Sequence, residues 1–313
     1  MSTVATKPRL GFLGVGWIGR SRLEAIERSG LAEVAGIADP ALEESVGSLD
    51  ELLELELDGV VIATPTALHA EQAEAALERG LGVFCQKPLG RNAAETARVV
   101  RAARAADSLL GVDLSYRSTA AGRAVRSLAR TGELGDVFAA DLTFHNAYGP
   151  DKPWFYDPAL AGGGCLIDLG IHLVDLALWT LGRPRVTAAR AWLRGEPVED
   201  YATAELELET GALIRIACSW NLHAGADAVI EAAFHGSEGG AALRNVDGSF
   251  YDFVAEWYRG RERELLAEPP DGWFGRAAVE WAARLASGER YDPEVESAVE
   301  VAEALDELYR SGR

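Results

Sequence analysis

Cysteine and positive charge are what this chain has least of. Its 313 residues hold three cysteines, Cys85, Cys165 and Cys218, far apart along the sequence. Three scattered thiols form neither a disulfide framework nor the spacing of a zinc site, and they fit a reducing, cytoplasmic setting. Lys and Arg number 30 against 49 Asp and Glu, a net charge of −19. Nucleic acid and anionic membrane surfaces both call for a basic face, so neither is an expected partner. The opening MSTVATKPR has no apolar core of signal-peptide length, and no later run approaches a membrane span. Internal repeats and low-complexity linkers are also absent. What remains is an ordinary globular composition, 48% hydrophobic, on a chain long enough for two domains.

The first half alternates short apolar strands with helix patterns, the signature of a parallel, doubly wound sheet with ligands at the strand C-terminal ends. Its first strand, RLGFLGV, runs into Gly14-Val15-Gly16-Trp17-Ile18-Gly19 and then a helix pattern closed by Gly30. This is G-x-G-x-x-G in its strand–turn–helix setting. Gly14 allows the turn, Gly16 lets a pyrophosphate approach the backbone, and Gly19 lets helix and strand pack closely. Trp17 and Ile18 open the helix, whose unpaired N–H groups and partial positive charge favour phosphate. A second strand, VAGIAD, ends at Asp39, 20 residues past Gly19. A carboxylate there accepts from the ribose hydroxyls of NAD and repels the 2′-phosphate of NADP. No Arg or Lys follows in PALEES, so NAD is expected over NADP; the competing reading of Asp39 is a turn opener before Pro40.

Later strands end at Thr64-Pro65 and at Gln86-Lys87-Pro88, which puts Thr64, Pro65, Gln86 and Lys87 at the cofactor-binding edge. His69, near the start of the helix after Pro65, either faces the cofactor or caps that helix. The residue before a proline is pushed to extended geometry, which aims Lys87 off its strand and into the site.

The second half is organised around Gly162-Gly163-Gly164-Cys165-Leu166-Ile167-Asp168-Leu169-Gly170-Ile171-His172-Leu173-Val174-Asp175. Three glycines precede an apolar run at three- and four-residue steps. On a regular helix Asp168 and His172 share a face, with Asp175 near it. They are either a proton-handling pair at a glycine-rich mouth or a cap with a buried histidine. The aromatics of the preceding loop, Trp154 among them, either staple it down or line a ligand site. After Gly182 the chain reads as strands VTAARAWL, ATAELELE, ALIRIACSW and AVIEAAFHG, with a hairpin turn at Glu209-Thr210-Gly211, and then two helix patterns in the tail.

Together LGVGWIG, Asp39, ATPTALH, QKP, the strand-end Tyr116-Arg117 and GGGCLIDLGIHLVD resemble the glucose–fructose oxidoreductase and inositol dehydrogenase family, Gfo/Idh/MocA, over most of the chain. The resemblance implies an N-terminal Rossmann domain, residues 1–117. It also implies a C-terminal α+β domain, residues 118–313, on a large, mostly antiparallel open sheet through which a homo-oligomer, dimer or tetramer, assembles. In the family the lysine before proline and the Asp and His of the glycine segment act at the substrate. Those positions here are Lys87, Asp168 and His172, with Tyr116, Arg117 and Trp154 as substrate contacts.

The chain departs from the family pattern twice. Gln86 stands where the family has Glu, which removes a negative neighbour of Lys87. Only 18 residues, 40–57, lie between Asp39 and the next strand. They suffice for a short helix and hardly for a strand as well, so a trimmed sheet edge and a more open adenine pocket are expected. The implied activity is hydride transfer between a nicotinamide and a hydroxyl or keto carbon of a sugar, cyclitol or polyol. A metal-dependent lyase or hydrolase, a non-catalytic NAD(H)-binding regulator and an NAD-dependent glycosidase are the alternatives.

Overall fold

The computed structural model describes residues 7–43 and 45–312. Residues 1–6, on which most of the N-terminal reading rests, and Glu44 in the shortened segment lie outside the described residues. The chain divides into two compact units, one of residues up to Asp113 with Phe274–Val299, the other of Leu114–Trp273 with the residues from Glu300 on.

The first unit is a five-stranded parallel sheet of β1 (Arg9–Leu13), β2 (Glu33–Ala38), β3 (Gly59–Ile62), β4 (Gly82–Cys85) and β5 (Leu110–Val112). Its order is β2-β1-β3-β4-β5. Every residue of β3 and β4 is buried, as a parallel sheet covered on both faces requires. The helices are α1 (Trp17–Ser29), α2 (Leu49–Leu53), α3 (Thr66–Glu78) and α4 (Ala93–Ala106). Segment 40–57 holds α2 and, among its described residues, no strand, so β2 is the sheet edge and the trimmed edge is observed.

A further helix of this unit comes from the tail, Arg276–Ala286. The sequence reading ended the domain at residue 117 and left this helix with the second half. The cause of the difference is packing. A side chain at Gly59 or Gly82 would meet Leu285 at 2.9 or 2.8 Å, and one at Gly111 would meet Trp281 at 2.9 Å. Three neighbouring strands thus carry glycine where Trp281 and Leu285 lie, and Trp281 packs on Phe84 at 5.7 Å. With Leu10, Phe12, Ile26 and Val61 these residues form one of the unit's two cores.

The second unit carries α5 (Ala120–Thr131), β6 (Val137–Asn146), α6 (Pro158–Ala161), a wide π-helical turn at Leu166–Gly170 and α7 (Ile171–Leu181). Then come β7 (Val186–Arg194), β8 (Tyr201–Leu208), β9 (Leu213–Ser219), β10 (Ala228–Gly236), β11 (Gly240–Asn245), β12 (Phe253–Arg259) and β13 (Glu262–Ala267). The tail helix of the first unit is α8, and α9 (Ser297–Ser311) ends the chain. The eight strands run β13-β12-β11-β10-β6-β9-β8-β7. Among the described residues of this sheet only β6 and β9 pair in parallel, so the large, mostly antiparallel sheet is present. Leu208 N–H donates to Ala212 O and Gly211 has φ +85°, the hairpin read from Glu209-Thr210-Gly211.

One expectation needs correction. The helical run Pro158–Leu181 is long and apolar enough to cross a membrane by length and composition, but 78% of its apolar window is buried inside the fold. Its hydrophobicity faces protein.

Candidate active site

The glycine loop folds as its spacing predicts. Gly14 has φ +77°, the left-handed region that glycine enters without penalty. A side chain at Gly19 would meet Gly14 O at 2.1 Å, whereas one at Gly16 would meet nothing within 4 Å. Gly19 is thus a packing glycine, and Gly16 leaves the approach to the α1 N-terminus open, the cradle a pyrophosphate needs. Asp39 sits across this loop. Its carboxylate accepts from Val15 N–H at 2.6 Å and Ala41 N–H at 2.8 Å, and its remaining lone pairs suit ribose hydroxyls. The residues present therefore fit a dinucleotide. Trp17 is 67% exposed beside the loop and packs on Phe274 at 5.5 Å.

At the ends of β3 and β4 two side chains depart from their expected roles. His69 is buried, and its ring nitrogens lie 2.7 Å from Pro88 O and Thr64 O. Burial first, and Lys87 with it, holds its pKa below the usual histidine value against the pull of the two carbonyls. With one N–H in its neutral ring, His69 donates to one of these two carbonyls and packs its other nitrogen against the second. Thr64 likewise donates its hydroxyl to Gln72 Oε1 at 2.6 Å, and Pro65 precedes α3.

The second departure is Gln86. Its amide nitrogen donates to Asp113 Oδ2, and Arg22 Nε donates to the same oxygen at 2.6 Å. The negative charge found missing at position 86 is present one strand away. Lys87 follows, half-buried, joined to Pro88 by a cis peptide bond.

In the second unit the three glycines have separate causes. Gly162 ends α6 with φ +89°. A side chain at Gly163 would lie 2.1 Å from the Tyr309 hydroxyl, and one at Gly164 2.0 Å from Glu199 O. That crowding belongs to a built cap. Glu199 Oε1 accepts from Gly164 N–H at 3.0 Å, Leu166 N–H at 2.9 Å and the Tyr309 hydroxyl at 2.7 Å. Glu199 O accepts from Cys165 N–H at 2.8 Å. A buried carboxylate at a helix start satisfies orphan N–H groups and opposes the helix dipole. Cys165 lies beneath, its thiol pushed up by its hydrogen bond with Cys218 and by burial.

The π turn carries Asp168, so the stacking of a regular helix does not hold through it. Asp168 Oδ2 accepts from Trp220 Nε1 at 3.0 Å. Phe155 and Tyr156 pack edge-on to Trp220, and Trp154 stacks on Phe155 at 3.9 Å. The aromatic loop is therefore stapled through the tryptophan that orients Asp168.

His172 is half-buried against the Tyr116 ring at 4.9 Å and Phe144 at 6.1 Å. A small cavity of about 10 Å³ there is lined by Tyr116, Phe144, His172, Leu176, Ile230 and Glu231, among others. Burial raises the Tyr116 phenol, helped by Asp168 and Tyr251, so it stays protonated. Arg117 and Asp175 pair through the Nε–Nη2 edge of the guanidinium, Nε lying 3.1 and 3.0 Å from the two carboxylate oxygens. Asp175, 2% exposed, is a structural partner, and the Arg117 guanidinium is committed to it. Sequence reasoning missed Trp220, Glu199, Tyr309, Asp113 and Arg22. Each acts across a long stretch of chain that no local pattern reveals.

A dinucleotide loop on a parallel sheet, and an Asp and a His on a capped helix over a mixed sheet, define a nicotinamide-dependent oxidoreductase of two-domain build. The chain belongs to the Gfo/Idh/MocA family. Residues 8–114 match its oxidoreductase, NAD-binding Rossmann fold, and residues 123–242 match the GFO/IDH/MocA C-terminal domain. It is 29% identical over 306 residues to inositol 2-dehydrogenase of Rhizobium meliloti (strain 1021), covering 89% of this chain and 90% of that one. It is 30% identical over 285 residues to D-xylose 1-dehydrogenase (NADP(+)) 2 of Haloferax volcanii, covering 90% and 86%. In fold it is similar to levoglucosan dehydrogenase solved with NADH and levoglucosan, with a TM-score of 0.83, 21% identity, and 98% and 97% of the chains covered.

Proposed function

We propose that this protein is a dehydrogenase or reductase that moves a hydride between NAD(H) and a hydroxyl or keto carbon of a sugar, cyclitol or related polyol. The observation that carries the reading is the Asp168–His172 segment, held by the Glu199 cap and the Trp220 hydrogen bond. Bound NAD supplies the hydride acceptor and, in reverse, NADH the donor. Gly14, Gly16, Trp17, Ile18, Gly19 and Asp39 hold it. In oxidation His172 takes the hydroxyl proton, because imidazole titrates near the working pH and serves both directions. Asp168 orients the substrate hydroxyl and supports the imidazolium. Lys87 holds and polarises the reacting oxygen, and Tyr116 and Trp154 contact the substrate. A screen of polyols, aldoses and cyclitols with NAD and NADP, read as NAD(P)H absorbance, tests this; absence of turnover across the panel with tight NAD binding rejects it.

The NAD preference is supported by the Asp39 carboxylate, held beside the glycine loop by Val15 N–H. Asp39→Asn keeps an acceptor for Val15 N–H and removes the charge, so the kcat/KM ratio for NAD over NADP is expected to fall about tenfold or more. An unchanged ratio rejects the ribose role. A cytoplasmic setting is supported by three buried, free thiols. Assembly into a homo-oligomer through the large sheet is supported by Trp192, 52% exposed on β7; light scattering is expected to give a dimer or tetramer mass.

A further inference from the structure

The contacts of Gln86 explain why this chain departs from the family at that position. Asp113 is 1% exposed at the end of β5, and Arg22, on α1, is 2% exposed. Arg22 Nε and the Gln86 amide nitrogen both donate to Asp113 Oδ2. An ionised carboxylate only accepts, so the residue facing it at 86 has to donate. Glutamine does; glutamate there would set a second carboxylate against the buried one of Asp113. On its other side the Arg22 guanidinium lies 4.4 Å over Phe274, and Phe274 packs on Trp17 of the glycine loop. A connected chain of contacts thus runs from the cofactor loop through Phe274, Arg22 and Asp113 to the residue bonded to Lys87.

We propose that Gln86 and Asp113 are positioning residues for Lys87. The charge that the family pattern carries at 86 is transferred to Asp113, where Arg22 pairs it. The donor amide of Gln86 then ties the end of β4 to β5 and to the helix of the cofactor loop. The dehydrogenase reading enters only in giving Lys87 its work on the substrate.

The test is a swap of the two groups. In Gln86→Glu the two carboxylates meet, and in Gln86→Met the tie is lost without a new charge. In Gln86→Glu/Asp113→Asn the carboxylate stands at 86 and an amide at 113, whose oxygen accepts from Arg22 while its nitrogen donates to Glu. The chain has three lysines, Lys7, Lys87 and Lys152. After reductive 13C-methylation the Lys87 signal is therefore assigned by comparison with Lys87→Arg, and it reports position without substrate or cofactor.

The expected result is a displaced Lys87 signal in both single variants and its return in the double variant. On a substrate from the panel, kcat falls on the order of tenfold to a hundredfold in the single variants and recovers in the double. A signal that stays in place in Gln86→Met, or stays displaced in the double variant, overturns the proposal. If Gln86→Glu does not fold, the other two variants still decide. If no substrate is turned over, the dehydrogenase reading fails by itself and the Lys87 signal still judges the network.

Discussion

His172→Ala is expected to lower kcat for polyol oxidation by on the order of 10² to 10⁴, the range for loss of a general acid–base group. Affinity for NAD should be unchanged, because the glycine loop and Asp39 lie in the other unit. The ring is half-buried against Tyr116 and Phe144, so its removal opens a small apolar space at little cost in folding. His172→Phe serves as the companion variant that refills this space. Steady-state kinetics at saturating NAD separate the effects, and retention of full kcat in both variants would falsify the proton-transfer role. Were only the alanine variant slow, packing rather than chemistry would be the cause.

The second large effect is on stability. Gly164→Ala is expected to cost about 3 kcal/mol or more, the upper range for overpacking a buried site. Its new methyl group would lie 2.0 Å from Glu199 O and 2.8 Å from Glu199 N. Backbone cannot swing aside as a side chain can, so either the cap opens or the segment carrying Asp168 shifts. Opening the cap strands the N–H groups of Gly164 and Leu166, both buried, and unsatisfied buried donors are costly. Denaturant unfolding followed by tryptophan fluorescence measures the loss, and a midpoint equal to wild type would show that the cap is not needed. Gly16→Ala is the control for folding: its methyl group meets no protein atom within 4 Å.

The cofactor half of the site was legible because its signals are local. Gly14, Gly16 and Gly19 lie within one turn, and Gly14 and Gly19 have the turn and packing roles that their places in it predict. The short segment 40–57 foretold the trimmed edge by chain length alone. The strands after Gly236 were not legible. In β13 the run ERELL is exposed or nearly so at the sheet edge, so it lacks the alternation that marks a half-buried strand. The allegiance of α8 was hidden as well, since its amphipathic pattern states that it covers a core and not which one.

Sequence alone determined the fold class, the family, the nucleotide loop with Asp39, and the identity of Lys87, Asp168 and His172 as candidates. These rest on spacing within short stretches, where backbone geometry follows directly from residue type. Tertiary structure decided which groups hold them. Trp220 reaches Asp168 across 52 residues, Glu199 caps Gly164 across 35, and Arg22 meets Asp113 across 91. It also set both ring nitrogens of His69 against backbone carbonyls and committed Arg117 to Asp175. The physical reason is that a buried polar group must find its partner wherever the folded chain brings one, and that partner leaves no trace in the local pattern.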